Sequence, residues 1–365
     1  MAKYDYHKAV NYDAADPVKV LAQKAAAATS GQLDKHGWSA MAASRGESAF
    51  LAETSTGYIA LTQEGLGTKS LITQAVYEQT GESFFRQTAI DTVSTIANDL
   101  VTVGALPTII NAYWSSSSYD WLEDNKLASD LINGWQQACE LVGATWGGGE
   151  TQSLKDMVVD GALELAGSGV GLIEPKSRLV LGDELSSGDR IVFLESTGIQ
   201  TNGISLAREI AAGLPEGYQT KLPSGQTFGQ GLLAASHLYP SVVAELFEQN
   251  VPIHYMAHIT GHGWRKIMRH TKDLRYVIEK LPPVPEVLSF IQEQNEYSDE
   301  EAYGTFNMGA GFAVYVPAEH AKIVIETSEK HGIKAYDAGY VAEGERAVEI
   351  KPLNITFSAE TLQLR

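Results

Sequence analysis

Apolar positions along the chain fall into two alternating rhythms. Residues 56–62 (Thr-Gly-Tyr-Ile-Ala-Leu-Thr), 108–114 (Thr-Ile-Ile-Asn-Ala-Tyr-Trp) and 189–195 (Asp-Arg-Ile-Val-Phe-Leu-Glu) are short, rich in β-branched and aromatic residues, and predict strands. Between the first two, Ile90, Val93, Ala97 and Leu100 recur at helical spacing. They predict a helix over 87–104, with Gly104 and Pro107 where it should stop. A helix over 16–29 is predicted from Asp16 as cap, Pro17 in the first turn and the alanines that follow. Another spans 127–142 and ends at Gly143. Residues 161–173 are apolar with spaced glycines, a strand that closes the first half. We place a domain boundary at Glu174-Pro175-Lys176, giving domains 1–174 and 175–365. In the second half the 189–195 strand leads through a glycine loop into a helix over 204–213, with Asn202 placed to cap it. A strand over 309–316 and a helix over 318–331 follow, while 220–255 and 280–303 show no clear period. The expected class is α/β, as two successive α/β domains.

Five short polar segments interrupt this pattern. They are Glu64-Gly65-Leu66-Gly67-Thr68-Lys69, Asn98-Asp99-Leu100, Gly147-Gly148-Gly149-Glu150-Thr151, Gly198-Ile199-Gln200-Thr201-Asn202-Gly203 and His258-Ile259-Thr260-Gly261-His262-Gly263. Glycine lets backbone approach a ligand closely, and successive N–H groups in such a loop form an anion seat. Each alone is a weak signal, since most glycine turns are only turns. Together they suggest one composite site for a phosphorylated ligand. The first is not a P-loop, which needs four residues between its glycines before Lys-Ser/Thr. Asp91, Ser94 or Thr95, and Asn98 share a helix face, a polar stripe odd on a largely buried helix. A buried carboxylate there needs a partner, and a metal is one.

Composition narrows the field. The 365 residues suit two domains of ordinary size, and 44% apolar with 20% charged residues is globular. A net charge of −18 argues against a broad basic surface for nucleic acid or anionic membrane, though not against small anions. Cys139 is the only cysteine, so no intramolecular disulfide forms, and its helical context reads as a buried inert thiol. No basic start followed by an apolar core marks a signal peptide, and no apolar run reaches the ~20 residues needed to cross a bilayer. Cytoplasm is the default.

The five segments, in this order, resemble the aminoimidazole ribonucleotide synthetase family, the phosphoribosylformylglycinamidine cyclo-ligases. The likeness starts at Tyr6-His7-Lys8-Ala9-Val10-Asn11-Tyr12-Asp13-Ala14 and runs past Thr305-Phe306-Asn307-Met308-Gly309. Any one motif is shared with a wider superfamily of ATP-using enzymes; the ordered set is specific. The resemblance implies an N-terminal domain whose strands pair with a second subunit's, forming a barrel at a homodimer interface, and a C-terminal α/β domain. It implies ATP and Mg²⁺ as cofactors, formylglycinamidine ribonucleotide as substrate, and ring closure to aminoimidazole ribonucleotide by way of a phosphorylated amide oxygen.

Carried onto this chain, the resemblance makes Glu64, Asp99 and Glu150 the metal candidates. Nucleotide contacts fall to Gly65, Gly67, Thr68, Lys69, Asn98, Gly148, Gly149, Thr151, Thr260 and Asn307. Lys69, His258 and Asn202 are the catalytic candidates, as phosphate contact, proton carrier and anion seat at a helix N-terminus. Plainer readings stand beside these: a solvated Lys69, a structural His258, and an Asn307 that orders its loop instead of touching substrate. Three positions depart from the family pattern. Glu64 stands where Asp is usual, Gln200 where His is usual, and His262 where glycine is usual. They motivate an alternative, a divergent relative that phosphorylates another acceptor or binds ATP without catalysis. Selenophosphate synthetases, hydrogenase-maturation dehydratases and thiamine-monophosphate kinases are disfavoured. The chain lacks an N-terminal cysteine, a C-terminal cysteine and an Asp-Asp pair near Glu64, respectively.

Overall fold

The computed structural model describes residues 3, 4 and 12–362. After helix α1 (Tyr12–Ala28) the first half builds a six-stranded sheet from β1 (Ser39–Ala40), β2 (Phe50–Glu53), β3 (Tyr58–Gly65), β4 (Leu106–Ser116), β5 (Thr145–Ser153) and β6 (Leu163–Ile173). The order is β1-β2-β3-β6-β4-β5, antiparallel except for the β4–β5 pair. Helices α2 (Lys69–Thr80), α3 (Phe85–Val101) and α4 (Asn125–Leu141) belong to this half. Ile96 and Leu100 of α3 share one core with Leu51, Ala60 and Leu165 of the sheet. The glycines of β6 explain how close this packing is. A Cβ at Gly167 or Gly169 would stand 2.8 Å or 2.4 Å from side-chain carbons of Ile96, so larger residues would push α3 away.

The second half builds a seven-stranded sheet from β7 (Arg190–Glu195), β8 (Tyr255–His258), β9 (Leu274–Ile278), β10 (Ala310–Val316), β11 (Ala335–Glu343), β12 (Ala347–Ile350) and β13 (Ile355–Ser358). Its order is β13-β12-β9-β11-β7-β10-β8, with only β12–β9 parallel. Every residue of β10 is buried. Ala313 and Tyr315 join one core while Phe312, Val314 and Val316 join another, so both faces of this sheet are covered. Helices α5 (Ile204–Gly213) and α7 (Glu286–Gln294) belong to the first of these cores, α6 (Pro240–Glu248) and α9 (Ala321–Lys330) to the second; α8 (Asp299–Thr305) precedes β10.

Two α/β domains in succession match the expectation, but both sheets are mainly antiparallel instead of built from repeated parallel crossovers. The predicted 204–213 helix is α5 itself, and the others shift by a few residues. Helix α1 begins at Tyr12, so Asp16 lies inside it instead of at its cap. The unreadable stretches hold α6, α7 and α8. Pro240 at the start of α6 and a Ser298–Glu301 capping box on α8 are local signals that could have found two of them. The family-like stretch 6–14 lies partly outside the described residues.

Candidate functional site

A cleft of about 350 Å³ opens between the two sheets. Glu64, Gly65, Thr95 and Asp99 line it from the first half, and Thr201, Asn202, His258 and Thr260 from the second. Four of the five polar segments therefore meet there. Glu64 is the next-to-last residue of β3, on the same face as buried Thr62, and lines the cleft. Asp99 is two residues from the end of α3, and His258 ends the edge strand β8. Their Asp99 Oδ1 and His258 Nδ1 lie 2.7 Å apart, joining the halves. That contact fixes the imidazole and leaves Nε2 as its other proton-exchange atom. Burial and the Asp99 carboxylate push Glu64 up to about 8, against the pull of Lys266 and Arg269.

Other motif residues turn away into the seam between the halves. Lys69 is fully buried, with Nζ 2.6 Å from Asp91 Oδ2 and 2.7 Å from the Gln200 carbonyl oxygen it donates to. Asp91 Oδ1 accepts from Ser236 N and Oγ at 2.8 and 2.6 Å. The partner of the buried carboxylate on the α3 stripe is thus a lysine, not a metal. Two turns on, Asn98 donates to His237 O at 3.0 Å and accepts from Tyr239 N at 2.9 Å. The α3 stripe grips residues 236–239 at both ends, while Thr95 between them reaches the cleft. Lys69, expected to contact phosphate, and Asn98, expected to contact nucleotide, both have protein partners in this structure.

The Gly198–Gly203 loop is held from below. Asn307 donates to Gly198 O at 2.9 Å and accepts from Ser196 Oγ at 2.7 Å, which is the loop-ordering alternative. Gln200 takes φ 57 and donates from Nε2 to Tyr239 Oη at 3.1 Å. Asn202 does not cap α5; Gly203 does, at φ 85, where a Cβ would meet the Phe306 ring at 2.2 Å. Asn202 instead lines the cleft beside the N-terminal end of α5.

Gly148, Gly149, Glu150 and Thr151 lie elsewhere. They belong to exposed β5 at the sheet edge, not to a loop. Gly65, Ala166, Tyr113 and Glu150 are in register across four strands, which sets Glu150 three strand spacings, about 14 Å, from the Glu64 end of β3. Glu150 therefore does not share an ion with Glu64 and Asp99 inside one chain. Gly67 and Thr68 join β3 to α2 outside the cleft lining.

Several cleft residues were not singled out from the sequence. Lys266 and Arg269 come from the turn Gly263–Met268 and its end, Glu47 and Ser48 from the approach to β2, and Lys19 from α1. The basic run Arg265-Lys266-Ile267-Met268-Arg269, directly after the histidine segment, was the available signal. His262 takes φ 70, the left-handed region that explains why glycine suits this position.

Among the described residues no group of three or more His, Cys, Asp or Glu side chains could cage a metal. Two carboxylates without a cage suit Mg²⁺, which keeps several waters and is held by one or two carboxylates plus substrate phosphates. Glu64 and Asp99 are the residues that would hold it. Burial first and the Asp99 charge second raise Glu64, and a bound cation would offset both by favouring the carboxylate.

Residues 46–173 match the family "AIR synthase related protein, N-terminal domain", and 186–351 match its C-terminal domain. A phosphoribosylformylglycinamidine cyclo-ligase of Methanococcus maripaludis is 34% identical over 80% of this chain and 79% of its own length. One from Rippkaea orientalis is 34% identical over 79% and 82%. A crystal structure of hydrogenase maturation protein HypE in complex with ATP superimposes with a TM-score of 0.61 over 85% of this chain and 87% of that one, at 16% identity. The last is a likeness of fold.

Proposed function

The chain belongs to the AIR synthase related family, and from that premise we propose that it closes the ring of formylglycinamidine ribonucleotide with ATP to give aminoimidazole ribonucleotide, ADP and phosphate. The observation that carries the reading is the cleft itself, where Glu64, Asp99 and His258 from separate motifs meet beside the N-terminal end of α5.

An amide oxygen is a poor leaving group. Transfer of the γ-phosphoryl group to it makes that oxygen leave as phosphate when the substrate's amidine nitrogen attacks the carbon. Both partners of the second step belong to one molecule, so orientation supplies much of the rate. Mg²⁺ held by Glu64 and Asp99 would supply charge for the phosphates. Thr201, Asn202 and the free N–H groups at the start of α5 bind phosphate oxygens. His258, with Nδ1 on Asp99, exchanges the proton lost by the amidine nitrogen through Nε2. Asn307, Lys69 and Asn98 act behind the surface, holding the loop and the 236–239 segment in place.

The domain division 1–174 and 175–365, a cytoplasmic setting and a homodimer belong to the same reading. Leu61, Val170 and Ile109 lie side by side across β3, β6 and β4, and Leu61 and Ile109 are 49% and 46% exposed. This open apolar face suits a second copy. Such a pairing would also bring exposed β5, with Gly148, Gly149, Glu150 and Thr151, near another chain. The test is phosphate release by purified protein with ATP and Mg²⁺, with and without formylglycinamidine ribonucleotide. Release that requires the substrate and yields aminoimidazole ribonucleotide supports the reading. Nucleotide binding without it favours another acceptor or no turnover, the alternative that Gln200 keeps open.

A further inference from the structure

We propose that Lys266, and not Lys69, is the cation that contacts the transferred phosphoryl group, an inference that rests on reading the cleft as a phosphoryl-transfer site. Lys69 is the motif lysine, but its ammonium is fixed on Asp91 and on the Gln200 carbonyl, with no exposed surface. Arg269 is also engaged. Its Nε lies 3.3 Å from Glu47 Oε2, and it donates to Ser48 Oγ at 2.9 Å and Gly46 O at 2.8 Å. It ties the 46–48 segment to the cleft wall.

Lys266 differs from both. It lines the cleft from the turn Gly263–Met268, half-buried, and among the described residues its ammonium makes neither a hydrogen bond nor an ion pair. Burial and the nearby Arg269 push it down to about 7, while Asp99 and Glu64 act the other way. A half-buried ammonium without a partner is unfavourable until an anion arrives. An ammonium is a compact point charge suited to a single phosphate oxygen. It lines the same cleft as Glu64 and Asp99, the two carboxylates that would hold Mg²⁺, and feels their charge. A cation placed beside the groups that would hold the metal favours the transferred phosphoryl group, whose charge needs compensation during the reaction, over the substrate's own phosphate.

In the transfer, the bond from the γ-phosphorus to the β,γ-bridging oxygen breaks and its electron pair leaves with ADP. A bond from the phosphorus to the acceptor oxygen forms. Lys266 keeps its protons and supplies only charge.

The test compares Mg²⁺-ATP and Mg²⁺-ADP binding by wild type, Lys266→Met and Lys266→Arg. Wild type should prefer ATP. Lys266→Met should lose about tenfold in ATP affinity with ADP affinity changed less than about threefold, and Lys266→Arg should recover most of the difference. Substrate-dependent kcat should fall about 100-fold in Lys266→Met, in line with loss of one charge-stabilising donor. Without ligand, neither variant should melt below wild type, since the Lys266 ammonium has no protein partner to lose among the described residues. A wild type without ATP preference, or an ATP-to-ADP ratio unchanged in Lys266→Met, overturns the proposal. If wild type shows no release with formylglycinamidine ribonucleotide but the ratio still shifts, the cyclo-ligase reading falls and Lys266 stands.

Discussion

The cleft and the seam behind it are made from the same motifs, yet they treat polar groups in opposite ways. In the seam, Lys69, Asp91, Asn98 and Asn307 are almost completely buried and have named protein partners for their charges and amides. At the cleft, burial holds Glu64 up to about 8 and Lys266 down to about 7, so the charged forms of these groups are only partly supported by the protein. The two sets are neighbours in sequence: Glu64 and Lys69 share a segment, and Asn98 precedes Asp99. A motif of this kind is a divided unit, one residue facing ligand and the next fixing the wall it stands on. The comparison predicts that seam variants lose stability and cleft variants lose chemistry.

The largest stability effect should come from cutting the buried ion pair. Lys69→Met takes the counter-ion from buried Asp91 and leaves it held, among the described residues, by Ser236 alone, which costs about 3–5 kcal/mol. A thermal melt should show a fall of roughly 10 °C. Asn98→Ala removes both contacts to 236–239 and should cost about 1–3 kcal/mol, read by denaturant unfolding. A melt unchanged in either variant would break the distinction between seam and cleft.

Glu64 sharpens it with pH. Its folded value near 8 lies above the ordinary 4.5, so the folded state binds more protons between those limits. Its stabilising contribution is complete below about 4.5 and is lost as pH rises through 8. Wild type should therefore lose a few degrees of Tm relative to Glu64→Gln between about pH 5.5 and 8, and Mg²⁺-nucleotide should restore them. Parallel Tm profiles would contradict a Glu64 held up by burial and by Asp99. The smallest effect is expected at His262. Glycine there relieves the left-handed backbone at φ 70 but gains freedom in the unfolded chain, so His262→Gly should stay within about 1 kcal/mol of wild type.

Much of this was legible in the sequence, unevenly. The spacing of Ile90, Val93, Ala97 and Leu100 located α3, because a helix against a sheet must bury one stripe. The order of polar segments located Glu64, Asp99, Asn202, His258 and Thr260 at one cleft. Side-chain direction was not legible. Nothing in Gly67-Thr68-Lys69 shows that the lysine points inward, because Asp91 and Gln200 reach it only through the packing of α2, α3 and the second half. Three consecutive glycines in 147–149 looked like a loop, yet they form an edge strand; a Cβ at Gly149 would lie 2.0 Å from the Ala112 carbonyl oxygen. Lys266 carries no motif of its own, and only the fold sets it opposite Glu64 and Asp99.

On the proposed function, phosphoryl transfer occurs at the Asp99–His258 cleft and not in the seam. The most direct measurement is phosphate release driven by formylglycinamidine ribonucleotide in Asp99→Asn beside wild type, each with its melting curve. Release should fall about 100-fold or more, with Tm changed by only a few degrees. Release within threefold of wild type by a folded Asp99→Asn protein would place the chemistry elsewhere.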